Sequence, residues 1–106
     1  RLPRQLKHFS VQNEIHIGFH TPSQQNIVEV MTLDRPGLLA RIGLLFMQAG
    51  IEIHSARITT LGERAEDVFF VTALDGQPLL PEHAESLKEQ LSQALDDDFD
   101  SLNLNP

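Results

Sequence analysis

The chain has 106 residues, 41% hydrophobic and 22% charged, the composition of one ordinary globular domain rather than of a collagen-like, mucin-like or wholly disordered chain. It has no cysteine, which excludes disulfide scaffolds, thiolate zinc sites, iron–sulfur clusters and a cysteine nucleophile. Eight Lys and Arg against fifteen Asp and Glu give a net charge of −7, the wrong sign for releasing counterions from phosphates, and no apolar run approaches the roughly 20 residues of a membrane span, so neither nucleic acid nor a membrane is expected as a partner.

Residues 1–8 carry Arg1, Arg4 and Lys7, with no initiator Met and no apolar signal core, and read as a linker entering from a longer protein. Phe9, Val11, Ile15, Ile17 and Phe19 then alternate with polar residues, broken only at Asn13, which predicts a half-buried strand within 9–19. The polar stretch 20–26, with Pro22, is a loop into a second strand, Ile27 to Leu33, rich in β-branched residues. A loop this short implies antiparallel pairing of the two.

Asp34-Arg-Pro-Gly precedes an apolar set at Leu38, Leu39, Ile42, Leu45, Phe46 and Ala49, one face of a helix. Pro36 suits its first position, Arg35 is pushed out of the α region by the proline, and Gly50 ends it. Residues 51–61 and 65–74 read as two strands around Gly62. In the first, the apolar parity switches from Ile51 and Ile53 to Ala56 and Ile58, so an extra residue near His54-Ser55 is required, a β-bulge. A turn at Asp75–Pro78 leads to a second helix opened by Pro81, with Glu82 and Glu85 in its first turn and a buried stripe of Ala84, Leu87, Leu91, Ala94 and Leu95. Residues 96–106 read as a frayed acidic tail, in which Asp96-x-Asp98 is a metal-binding pair in spelling only.

Strand, strand, helix, strand, strand, helix is an α+β pattern whose economical form is a four-stranded antiparallel sheet with two helices on one face. From residue 27 it is ferredoxin-like βαββα without the last strand, and the strand within 9–19 can fill that vacancy, giving one domain over 9–95. Met31, Phe69 and Val71 have the opposite parity from Val28, Val30, Val68 and Phe70, and Leu44 and Met47 lie off the helix stripe. Apolar groups on both sheet faces predict self-association.

Catalytic signatures are absent from the sequence. There is no G-x-S-x-G, Walker A or G-x-G-x-x-G, and His8, His16, His20, His54 and His83 are scattered; the spacing of His16 and His20 ligates zinc only on a helix, whereas their segment alternates like a strand. What stands out is Asp34-Arg-Pro-Gly-Leu-Leu-Ala-Arg-Ile42. Two readings are open: Asp34 and Pro36 start a helix, or free amides at the helix start accept a carboxylate while Asp34 accepts an ammonium, the two needs of a zwitterionic amino acid.

That motif, followed by Ala49-Gly-Ile51 and by Ala56-Arg-Ile-Thr-Thr-Leu-Gly-Glu-Arg-Ala-Glu-Asp-Val-Phe-Phe-Val-Thr72, resembles an ACT domain, and among ACT domains those at the C-terminus of bacterial enzymes that attach uridylyl groups to, and remove them from, the PII nitrogen-signalling protein. The resemblance covers roughly residues 1–95. It implies a cytoplasmic, regulatory module that is not itself an enzyme, with glutamine as ligand and a second ACT domain as partner. PII and magnesium would belong to the catalytic parts of the parent. It places the ligand between two modules, against Asp34, Arg35, Pro36, Gly37, Leu38 and Leu39 of one and Ile53 and His54 of the other.

Overall fold

A computed structural model describes the backbone of residues 12–104 and the side chains of residues 12–97. Its elements are β1 (Glu14–His20), β2 (Gln25–Leu33), α1 (Leu38–Gln48), β3 (Ile51–Leu61), β4 (Arg64–Ala73) and α2 (Pro81–Leu104). The linker at 1–8 and the first part of the strand expected from Phe9 lie outside the described residues.

The four strands form one antiparallel sheet in the order β1-β2-β4-β3, with both helices on one face. This is a ferredoxin-like fold in which the N-terminal strand occupies the edge beside β2, Ile15 opposite Val30 and Ile17 opposite Val28. The four-residue turn between β1 and β2 makes their antiparallel pairing the only short connection. The register slips between Ile53 and Ser55, placing the bulge at His54 as the change of apolar parity requires.

α1 lies over β3 and α2 over β1. Between the layers Val28, Val30, Ile42, Phe46, Phe69, Val71, Leu87, Leu91 and Leu95 are buried, with the rings of Phe46 and Phe69 edge to face at 5.1 Å. Asn26, also buried, ties the last loop to the sheet: its Oδ1 accepts the Leu79 amide at 2.8 Å and its Nδ2 donates to the Gly18 carbonyl at 3.2 Å.

Several expectations are corrected. Val68 and Phe70 do not share a face with Val28 and Val30; the register sets Val28 opposite Phe69 and Asn26 opposite Val71, so Phe69 and Val71 face the helices. Val68 and Phe70 join Ile27 and Met31 on the open face, half-buried, so both faces do carry apolar groups. Leu39 is 49% exposed rather than part of the buried stripe of α1, whose buried residues are Leu38, Ile42 and Phe46. The acidic segment from Asp96 is not frayed at its start: α2 continues to Leu104. Extending a formed helix adds a hydrogen bond for each residue ordered, and Leu91, Leu95, Phe99 and Leu102 continue the helical period.

Pro36 is not the first helical residue either. The Leu38 amide donates to the Arg35 carbonyl at 3.2 Å, and Gly37 has φ 79 and ψ 1, so Arg35–Leu38 is a type II turn with Pro36 and Gly37 at its centre. Proline pre-sets the first central position and glycine supplies the left-handed second. Gly37 is then the N-cap, its carbonyl accepting the Arg41 amide at 2.9 Å. At the other end Gly50, φ 72, terminates α1 as expected, donating to the Met47 carbonyl at 3.2 Å.

Candidate functional site

The β2–α1 connection runs across the end of the sheet, held by its backbone. The Asp34 amide donates to the Glu63 carbonyl of the β3–β4 turn at 2.7 Å, pinning the strap to the neighbouring hairpin. Arg35 folds back, its Nη1 donating to the Leu33 carbonyl at 2.7 Å and to Thr32 Oγ1 at 3.3 Å. Thr32 in turn donates to Asn13 Oδ1, and Asn13 Nδ2 reaches Asp96 of α2 at 2.6 Å. Arg35 therefore fixes the strap to β2 through its polar head.

Beneath the strap opens a cleft of about 210 Å³. Asp34, Arg35, Gly37, Leu38, Leu39 and Ala40 line one side, Ile58 and Thr60 of β3 another, and Ala65 and Asp67 of β4 the floor. Of the sequence-predicted residues, five thus meet around one space. Pro36 does not line it; it shapes the turn behind it.

Two facts decide what the strap can do. α1 has no side-chain cap, and Asp34 stands three residues before the N-cap, so its carboxylate is not consumed in starting the helix. The amides of Leu39 and Ala40 fall in the first helical turn, where no intrahelical acceptor exists, and both residues line the cleft. The Leu38 amide, by contrast, is used in the turn. The cleft therefore combines donors that favour an anion with an exposed carboxylate that favours a cation.

Asp67 was not singled out by sequence reasoning. The signal was present: it is the one charged residue in the alternation Ala65, Asp67, Phe69, Val71, all on the buried parity of β4. Burial pushes its carboxyl above the ordinary carboxylate value; the Thr59 amide, donating to Oδ1 at 3.3 Å, pulls the other way, and the charge of Asp34 adds a further upward push.

Ile53 and His54 do not reach this cleft within one chain. They sit at the other end of β3, His54 some six residues, or about 20 Å, from Thr60 along the strand. Thr72 Oγ1 donates to the Ala73 carbonyl at 2.8 Å, so in the 2.7 Å contact between Thr72 Oγ1 and His54 Nε2 the imidazole is the donor. Among the described residues no three His, Asp or Glu side chains converge as metal ligands, and no helix is long and apolar enough to cross a membrane.

Residues 26–92 match the family model of the ACT domain. Among curated proteins, the chain is 57% identical over 97 residues to the bifunctional uridylyltransferase/uridylyl-removing enzymes of Acinetobacter baumannii (strain AYE) and Acinetobacter baylyi, covering 92% of this chain and 11% of each relative. It is 49% identical over 102 residues to the enzyme of the same name from Psychrobacter arcticus, covering 96% of this chain and 11% of that relative. The chain thus spans about a tenth of the length of the curated relatives it matches.

Proposed function

The chain belongs to the ACT domain family, and from that premise we propose that it is the glutamine-sensing regulatory module of a cytoplasmic bifunctional uridylyltransferase/uridylyl-removing enzyme acting on the PII nitrogen-signalling protein. The observation that carries the ligand reading is the cleft under the β2–α1 strap, lined both by the first residues of α1 and by Asp34, whose carboxylate is free of capping duty. Amides of the first turn of α1 take the ligand carboxylate, and Asp34 takes a charge-assisted hydrogen bond from its ammonium. Identity to relatives of that name supports the choice of parent. The parent's nucleotidyl-transferring and hydrolytic centres, with the magnesium expected there, lie in segments other than this chain; its own residues sense.

The partner in this reading is a second ACT domain. β3 is an edge strand with Ile53 40%, Ile58 49% and Leu61 58% exposed, and α1 beside it exposes Leu39, Leu44 and Met47. An unpaired edge of this length is a template for another strand. Antiparallel pairing of two β3 edges about Ala56–Arg57 sets Ile53 of each copy opposite Thr60 of the other, and His54 opposite Thr59. That brings Ile53 to the cleft-lining Thr60, with His54 next to it on the opposite face of the seam, and the seam's donors and acceptors distinguish the amide of glutamine from the carboxylate of glutamate.

Calorimetric titration of the 106-residue chain with glutamine, glutamate and the other free amino acids tests the reading. Saturable heat with glutamine, and weaker binding of glutamate, is the expected result. Preference for another amino acid would assign the module to a different parent, and no heat with any amino acid would leave a purely structural dimerisation module.

A further inference from the structure

Asp67 is 3% exposed on the helix-facing side of β4, opposite Val30 of β2 and Ile58 of β3. Its recorded hydrogen bond is the Thr59 amide at 3.3 Å, long for a bond to a carboxylate, and it forms no ion pair among the described residues. A carboxylate removed from water without a cation is costly, and apolar packing of the same volume would be cheaper. It lines the same cleft as the exposed carboxylate of Asp34, with the Thr60 side chain beside them.

We infer that Asp67 is the buried half of a two-carboxylate seat for a primary ammonium, and that this seat makes the cleft specific for ligands with a free, charged amine. The inference rests on the reading of the cleft as an amino-acid site and deepens it. A tetrahedral ammonium carries three N–H donors, and the cleft offers three acceptors, the carboxylates of Asp34 and Asp67 and the Thr60 hydroxyl. Most of the remaining wall, including Leu38, Ile58 and Ala65, is apolar; its one cationic residue, Arg35, is engaged with the Leu33 carbonyl and Thr32 Oγ1 and forms no ion pair with Asp34 or Asp67. That is a poor shell for magnesium, which demands six oxygens in near-octahedral array. An N-acylated amino acid presents a neutral amide with one N–H and leaves the buried Asp67 carboxylate without a cation. The site rejects it for the reason that any site built around buried polar groups rejects a ligand lacking their partner.

The test compares glutamine with N-acetylglutamine on the unmodified chain and repeats the glutamine titration on Asp67→Asn, whose side-chain oxygen still accepts the Thr59 amide. The expected results are binding of glutamine, no measurable binding of N-acetylglutamine, and a loss of about 10- to 150-fold in glutamine affinity in the variant, the range for one charge-assisted hydrogen bond. Thermal unfolding of the variant reports its fold, and the analogue comparison needs no variant at all. Equal affinities for the two ligands, or wild-type affinity in a folded Asp67→Asn, would overturn the seat. If glutamine fails but another free amino acid binds and is weakened by Asp67→Asn, the seat stands and the glutamine reading falls. If no free amino acid binds, or magnesium binds in its place, the seat falls as well.

Discussion

Gly37 and Gly43 invite the same chemical change with opposite outcomes. A Cβ built at either position meets no atom within 4 Å, so neither substitution by alanine is opposed by packing. Gly37 sits at φ 79, in the second central position of the turn that starts α1, whereas Gly43 is inside α1 with no positive φ. Alanine at Gly37 bears the left-handed penalty of about 1–2 kcal/mol. Alanine at Gly43 relieves the entropic cost of a helical glycine and gains about 0.5–1 kcal/mol. Urea unfolding of Gly37→Ala and Gly43→Ala should therefore bracket the parent chain, separated by about 1.5–3 kcal/mol at equal m-value. In thermal unfolding each kcal/mol moves the midpoint by roughly 4 °C in a chain of this size. Gly37→Ala should also weaken glutamine binding, because the turn positions the start of α1, whose Leu39 and Ala40 line the cleft. A neutral Gly37→Ala with unaltered ligand affinity would refute both the turn assignment and its role in the site.

Asp34→Ala should weaken glutamine roughly 10- to 150-fold in calorimetry while leaving the unfolding midpoint in place, since Asp34 makes no helix cap; a lost midpoint with intact affinity would contradict this. Leu44→Lys combined with Met47→Lys should shift the chain to monomer in sedimentation velocity at little cost in stability, both residues being exposed at 41% and 68%. Asp67→Asn should stabilise the ligand-free chain near neutral pH. Because the folded carboxyl is raised above its unfolded value, the folded state binds the proton more readily, and the destabilisation from Asp67 is present above the folded value and fades as pH falls toward 3.8. The stability gap between variant and parent, followed by urea unfolding across pH with Asp34 and Arg35 unchanged in the same cleft, should close on acidification.

Where one local rule acted alone, the sequence was sufficient. The change of apolar parity between Ile53 and Ala56 required the extra residue found at His54, because two buried faces cannot be reconciled with period 2 otherwise. Gly50 stopped α1, Pro81 opened α2, and the short polar loop after His20 dictated antiparallel pairing. The spacing of Asp34 through Leu39 marked the strap, though not that Arg35 would turn away toward Leu33 or that Leu38 would spend its amide in the turn.

Tertiary structure decided what depended on partners far along the chain. In β4 both parities are apolar, so alternation alone does not say which is buried; the pairing of Val28 with Phe69 does, sending Phe69 and Val71 to the helices and Val68 and Phe70 to the open face. The same register carries Asp67 under the strap, from a charged residue in an alternating strand to the floor of a cleft beside Asp34, some thirty residues earlier. Periodicity is a property of one segment, whereas burial, and with it the energy of an ionised carboxylate, is set by what the other segments place around it.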